Sequence, residues 1–397
     1  CYEFSHCNNP ANEPDERPSM KDQMISKLWL RLSVCICAIA LTFAAAMLTG
    51  CSSNESSSSS NAEAQTITDM RGRSVEIPAD LERIVAVGCA LRPVCYLQAE
   101  DMVVGVEASE QEDNVSCAYR HVNHDLFASL PVIGDGGSSG VTINEEALME
   151  AAPQLVICDS LSADEADNLQ QKTGIPFVCL DQPETVFDDK YYNNLELLGK
   201  VLGKEERAAE VVNYIKEVDN DLEQRSAASE NADNNTAYAA GISFRGGHGF
   251  DGTEANFQPF VACNIDNVAD GHGSDGAFTI DLETVSAAQP DYIFMECGNL
   301  PLIKENYSTN PAYYQALKAV QDGHTYSLIS YRFYSTNVEL ALANCYQVGA
   351  MVYPDSFSDV NPTDKLDEIS EFFLGEKLSS DLAAEGYKFE QLNIAEF

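Results

Sequence analysis

The sequence predicts an α/β protein of two Rossmann-like α/β lobes joined by a helical connector. Three observations carry this. Short apolar runs alternate with helix-period segments, a charged proline-free stretch interrupts them midway, and one helix-turn-strand unit occurs twice at constant spacing.

The first alternating runs are Thr66 to Asp69 and Ser74 to Ile77, separated by Met70-Arg71-Gly72-Arg73 and closed by Pro78, the signature of a hairpin. Ile84 to Val87, Val103 to Val106, Leu155 to Cys158 and Phe177 to Leu180 are short and apolar on both faces, as parallel strands buried between helices are. Helices are expected near Asn144 to Ala151 and Ala163 to Thr173. From Asp188 to Gln224 the apolar positions Leu195, Leu198, Val201, Ala208, Val212 and Ile215 fall near helical spacing, in one long helix or in two broken at Gly203. Asn231 to Asn235 reads as loop, and strands resume at Ala237 to Gly241, Tyr292 to Met295 and Thr325 to Leu328.

The repeat matches Thr142, Ile143, Asn144, Glu146, Leu148, Ala151, Pro153, Leu155 and Ile157 with Thr279, Ile280, Asp281, Glu283, Val285, Ala288, Pro290, Tyr292 and Phe294, at an offset of 137. Each copy has an Asn or Asp able to cap a helix, an apolar face, a Pro that ends it, and a buried strand. Upstream, Gly137-Ser138-Ser139-Gly140 pairs with Gly273-Ser274-Asp275-Gly276.

The first fifty residues stand apart. Residues 1–19 are polar and precede Met20, the first methionine that opens a sensible signal, so they read as upstream of the true start. Lys21, Lys27 and Arg31 form a basic n-region, and the apolar run from about Leu32 to Met47 is shorter than the roughly 20 residues a membrane span needs. Leu48-Thr49-Gly50-Cys51 resembles a bacterial lipobox, which implies cleavage before Cys51 and a lipid on its thiol. Residues 51–65 are then a serine-rich tether, placing the working protein outside the cytoplasmic membrane and anchored to it by acyl chains.

Of 397 residues, 63 are acidic and 23 basic, for a net charge of −40, which repels a phosphate backbone and argues against nucleic-acid binding. Thirteen cysteines include no CxxC pair; four precede the cleavage site, Cys51 takes the lipid, and the remaining eight, mostly at expected strand ends, are expected as free thiols. No GxSxG elbow, HExxH helix or GxxxxGK[ST] loop is present, and the Ser138-Ser139 loop has no identifiable His and Asp partners, so an enzyme is not expected and no catalytic residue is assigned.

The hairpin Ile67 to Pro78 followed by Arg83-Ile84-Val85-Ala86-Val87, the paired Ala-x-Pro-Gln/Asp units, and Tyr334-Ser335-Thr336-Asn337 leading into a helix that ends near Tyr353-Pro354 resemble the iron-siderophore and vitamin B12 substrate-binding lipoproteins of bacterial ABC importers. The similarity covers roughly residues 66 to 375. It implies two lobes joined by a rigid helix, here an N-terminal lobe at 66–187, a connector at 188–230, and a C-terminal lobe with a C-terminal helix at 231–397. It also implies a ligand between the lobes, a membrane permease that receives it, and an ATPase subunit behind the permease, with the binding protein a monomer that needs no cofactor of its own.

Ligands of open α/β sheets bind beyond the carboxyl ends of the strands. That places Arg92, Asp159, Arg245, His248, Tyr331, Arg332 and Tyr334 as candidate ligand contacts. Arg92, Arg245 and Arg332 would make a local positive pocket for an anionic chelate, or each would pair with a nearby carboxylate, as Arg245 with Glu254. Tyr331, Phe333 and Tyr334 would stack on a planar ligand, with one of them in the core. A ferric siderophore is the first expectation, haem or a corrinoid next. Direct binding of a divalent or ferric ion is the alternative: His121, His124, His248 and His272 fall in expected loops, and Cys89, Cys158 and Cys297 at strand ends, but no HxxxH spacing occurs. In the related importers one acidic residue on each lobe docks on permease arginines; here Glu165 (or Asp164) and Glu283 fall near those positions, with Glu146 the repeat equivalent of Glu283. Helix-start glutamates are equally well accounted for by the helix dipole.

Overall fold

The computed structural model describes residues 65–137, 140–229, 235–273 and 276–396, all within one unit of the chain, Asn61–Phe397. The leader, Cys51, the serine-rich tether, the centres of the two Gly-Ser loops and most of the 231–235 loop lie outside the described residues.

Alternation buries Ile67, Val75 and Ile77 and lays β1 (Gln65–Thr68) antiparallel to β2 (Ser74–Ile77). Asp69 closes their turn by accepting the N–H groups of Arg71 and Arg73 and pairing with the Arg73 guanidinium at 3.0 Å. The N-terminal lobe then runs β3 (Ile84–Val87), α1 (Leu91–Tyr96), β4 (Val106–Glu107), α2 (Ala118–Val122), α3 (His124–Ser129), β5 (Val132–Asp135), β6 (Thr142–Ile143), α4 (Glu145–Ala151), β7 (Leu155–Cys158), α5 (Ala163–Thr173) and β8 (Phe177–Cys179). Strands β3, β7 and β8 form a parallel sheet in that order, buried at every residue, so they read as unbroken apolar runs. A bridge from Ile84 to Val103 leads to a second sheet, β4-β5-β6. The strand expected at Val103 to Val106 starts later than the apolar run suggests, because only Val103 bridges and the register shifts between Val106 and Glu107.

The middle stretch is two helices that pack on each other, α6 (Asp189–Leu202) and α7 (Glu205–Ala227). The first ends at Gly203 in the left-handed conformation, as expected. At 23 residues α7 is about 34 Å long.

The C-terminal lobe contains β9 (Thr236–Ala240), β10 (Gly252–Ala255), α8 (Gln258–Ala262), β11 (Asp266–Asn267), β12 (Gly276–Thr279), α9 (Leu282–Ala288), β13 (Tyr292–Glu296), α10 (Leu300–Thr309), α11 (Pro311–Gln315), α12 (Lys318–Asp322), β14 (Thr325–Leu328), α13 (Val338–Val352), α14 (Pro362–Leu374) and α15 (Ser379–Ala384). Its parallel sheet has the order β11-β9-β13-β14, beside an antiparallel β10–β12 pair. Helix α13 is almost wholly buried, which explains its apolar sequence and weak amphipathicity.

The repeat is structural. In the first copy β6-α4-β7 is capped by Asn144 and ends in a left-handed Ala152 (φ 49°); in the second β12-α9-β13 is capped by Asp281 and ends in a left-handed Gln289 (φ 49°). No described helix is long and apolar enough to cross a membrane.

Candidate functional site

Between the carboxyl ends of the two sheets lies a cavity of about 770 Å³, within the range of small-molecule sites. The N-terminal lobe contributes Ser109, Glu112, Asn114, Ser116 and Arg120; the C-terminal lobe contributes Phe244, Arg245, Glu296, Arg332, Phe333, Tyr334 and Tyr387. A smaller neighbouring cavity of about 360 Å³, sharing Cys89 and Ser335 with the first, is lined by Arg92, Asp159, Asp181 and Tyr191.

The loop joining β14 to α13 forms one wall and is held from both lobes. The Asn337 amide donates to the carbonyls of Tyr331 (3.1 Å) and Phe333 (3.0 Å). From the other lobe the buried Arg92 donates to the Tyr334 carbonyl and, through Nε at 3.3 Å, to Asn337 Oδ1. The Tyr96 hydroxyl donates to the buried Glu339 carboxylate and accepts the Val338 N–H at 3.1 Å. These bonds hold Tyr334 (φ 51°) and Ser335 (φ 66°) in a left-handed conformation that non-glycine residues adopt only when their surroundings impose it. Arg245, which also lines the cavity, has φ 52° as well.

The cavity's cations differ in their freedom. Arg120 is 1% exposed, bonds Glu110 Oε2 through Nε at 3.1 Å, and lies over the rings of Phe333 and Tyr334, 5.8 and 5.3 Å from their centroids; its Nη2 has no partner. Arg332 pairs through Nη2 with the Glu254 carboxylate and leaves Nε without a partner. Arg245 is exposed and has no partner among the described residues. Buried donors left unpaired are costly, and these two, one from each lobe, favour an acceptor-rich occupant, although Glu254 Oε2 beside Arg332 is a buried acceptor without a partner.

Carboxylates also line the cavities, Glu112 exposed and Glu296 engaged by its neighbours. Glu296, buried at the end of β13, accepts the Ser243 N–H (2.7 Å), the Ser243 hydroxyl (2.8 Å) and the Asn299 amide (3.2 Å), while burial pushes its carboxyl above the ordinary range. Burial does the same to Glu254, against the pull of Arg332. Asp159, likewise raised by burial, accepts the Cys89 N–H at 3.1 Å. Gly88 beside it has φ 71°, and a Cβ there would sit 2.2 Å from Asp159 Oδ1, so only glycine fits this strand end.

Of the seven expected contacts, Arg245, Arg332 and Tyr334 line the main cavity, while Arg92 and Asp159 line the smaller one. Arg92 is committed to inter-lobe bonds rather than held free for an anion. Tyr331 and His248 line neither cavity. Tyr331 is 3% exposed and packs on Phe257, making it the aromatic of the three that belongs to the core. His248 stacks on the Phe244 ring at 3.7 Å and bonds the Phe244 carbonyl at 2.8 Å, supporting the loop from behind. Of the carboxylate pairings that are the alternative for the three arginines, Glu254 takes Arg332 rather than Arg245. His121 and His124 lie in α2 and α3, not in loops; burial lowers the His121 pKa, but Asp113, 2.7 Å from Nδ1, and Asp381, 3.6 Å from Nε2, together raise it above the ordinary value. Arg120 was the residue that sequence reasoning missed. It lies beyond no strand end, so the position of the strands does not single it out.

Glu165 and Glu283 are both exposed at helix starts. The Glu165 carboxylate is engaged in a capping box with Ser162, which lowers its pKa, whereas the backbone N–H of Glu283 donates to Asp281.

The sequence matches the model of the family described as periplasmic binding protein over residues 95–331. The chain belongs to that family. No curated protein is significantly similar to it. Among solved structures, this periplasmic binding protein is similar in fold to a periplasmic solute-binding protein from Veillonella parvula, with 18% identity and a TM-score of 0.64 over 82% of this chain and 97% of that one. It is also similar to the TroA-like periplasmic binding protein FepB from Veillonella parvula, with 20% identity and a TM-score of 0.63 over 83% and 99%. A third is the molybdate periplasmic binding protein MolA of a Haemophilus influenzae ABC transporter, bound to molybdate, with 19% identity and a TM-score of 0.61 over 79% and 98%. The family places this binding protein outside the cytoplasmic membrane, among transport components rather than enzymes.

Proposed function

We propose that this periplasmic binding protein captures an anionic metal chelate, an iron-siderophore before haem or a corrinoid, in the 770 Å³ cavity between its lobes. It then delivers the chelate to an ABC permease powered by an ATPase. Acyl chains on Cys51 hold it at the membrane as a monomer, and Glu165 and Glu283 meet the permease. The observation that carries the reading is that three arginines line one cavity with Phe244, Phe333 and Tyr334: Arg120 and Arg332, each with a buried donor lacking a partner, and the exposed Arg245. Charge-assisted donors select carboxylate, catecholate or oxyanion acceptors, and rings beside them suit a planar or bulky chelate.

Direct metal binding has less to rest on. Among the described residues no group of three or more His, Cys, Asp or Glu side chains comes together to hold an ion. Titration of the full chain with ferric siderophores, haem, cobalamin, molybdate and divalent metal salts tests the reading. It predicts saturable 1:1 binding of a chelate, weakened at least tenfold in Arg245→Ala. Binding of bare metal ions alone would replace it with the metal-ion reading.

A further inference from the structure

We propose that Cys158 and Cys179 are a redox-active dithiol that closes to a disulfide outside the cytoplasmic membrane, tying together the ends of β7 and β8. The inference rests on the extracytoplasmic placement of the family and is independent of which solute is bound.

The two residues are register partners on neighbouring parallel strands, so their side chains leave the same face of the sheet. Their sulfurs are 3.4 Å apart, about 1.4 Å from bonding distance. All eight described cysteines are free, and among the described residues no other pair brings sulfur to sulfur. Four of them sit at strand ends, at or just beyond β3, β7, β8 and β13; the others belong to helices or their flanks.

Their surroundings make them unequal. The Arg73 guanidinium lies 3.5 Å from Cys179 Sγ, and the Cys179 N–H donates to Asp69 Oδ2 at 3.1 Å. The hydrogen bond from Cys158, helped by Arg73, holds the Cys179 thiol below its ordinary pKa, while that same bond and burial push Cys158 up. Cys179 is therefore the attacking thiolate and Cys158 the resolving thiol. Strand β8 is the outer strand of its sheet, so a local opening there exposes Cys179 first.

The oxidant is a disulfide of the compartment, small or protein-borne. The Cys179 thiolate attacks one sulfur of it, forming a mixed disulfide and releasing one thiolate. Cys158 then gives up its proton and attacks Cys179 Sγ, expelling the second thiolate. Two protein thiols become one disulfide and the oxidant becomes two thiols. The residues that follow, Asp159 and Leu180-Asp181, line the smaller cavity, so the cross-link fixes that wall.

The test uses the full chain, reduced, desalted and exposed to oxidised glutathione over a range of pH, with remaining thiols alkylated and peptides mapped by mass spectrometry. We expect a Cys158–Cys179 linked peptide, lighter by two hydrogens, forming at a rate whose pH midpoint lies below the roughly 8.5 of a free thiol. Cys158→Ser should hold a glutathione adduct on Cys179, and Cys179→Ser none on Cys158. Retention of both thiols, linkage of a different pair, or an adduct on Cys158 in the second variant would overturn the proposal. Should either variant fail to fold, the peptide map of the unaltered chain decides.

Discussion

Tyr334 of the C-terminal lobe donates its hydroxyl to Glu107 of the N-terminal lobe at 2.8 Å, an inter-lobe bond beside those made by Arg92 and Tyr96. Glu107 is fully buried, accepts the Gly88 N–H at 2.9 Å through the same oxygen, and leaves its other oxygen without a partner. Burial lifts its carboxyl from 4.5 to about 7, with the nearby Glu110 and Asp159 adding to the rise and Tyr334 and Gly88 opposing it.

A carboxyl whose folded pKa is raised favours the folded state fully below its unfolded value and loses that contribution as pH climbs past about 7. Glu107→Gln should therefore become more stable relative to the unaltered chain between pH 5 and pH 8, by at most about 3 kcal/mol. Urea unfolding at the two pH values measures this. A difference that does not change with pH would place the titration elsewhere.

Much of this fold was legible in the sequence because its strands are short and buried on both faces. The repeat fixed the equivalence of α4 and α9 down to their caps and left-handed ends. The site was less legible. Strand ends give the neighbourhood of a cleft but not side-chain direction: Arg92 and Arg332 read alike, yet one bonds carbonyls across the lobes and the other a carboxylate. Tyr331 and Tyr334 are three residues apart and face core and cavity, because Asn337 folds the loop back on itself. Arg120 depends on a contact with Phe333 and Tyr334 more than two hundred residues away, which no local pattern encodes.

Arg92 and Arg245 should separate stability from binding. Arg92→Met leaves the Tyr334 carbonyl and Asn337 Oδ1 unmatched in a buried interface, a loss of roughly 3 kcal/mol or more. Arg245→Ala removes an exposed side chain and should change stability by less than about 0.5 kcal/mol. Thermal unfolding of the two variants checks both; equal losses would contradict the roles assigned.

The matched left-handed residues give a second stability test. Ala152→Gly should stabilise by up to about 1 kcal/mol, since glycine adopts φ 49° without strain. Gln289→Gly should gain less, because the Gln289 side chain accepts the Lys318 N–H at 2.8 Å and donates to the Ser286 carbonyl at 2.8 Å. Denaturant midpoints for the pair measure the difference, and the reverse order would sink the explanation.

Charge reversal at the exposed helix starts probes the permease. Glu165→Lys and Glu283→Lys together should lower uptake of the solute in cells and leave its affinity for the purified chain unchanged. Reduced affinity would show that these residues act on the ligand instead. Glu165→Ala serves as a control for the loss of the capping box with Ser162.

The central claim, an anionic chelate held between the lobes, is tested most directly by calorimetric titration of the full chain with one siderophore in its ferric and iron-free forms and with the iron salt alone. The account predicts one site that binds the ferric chelate, with affinity falling at least tenfold in Arg245→Ala and declining as salt is raised. Binding of the iron salt without the chelate, or chelate binding indifferent to both Arg245 and salt, would contradict it.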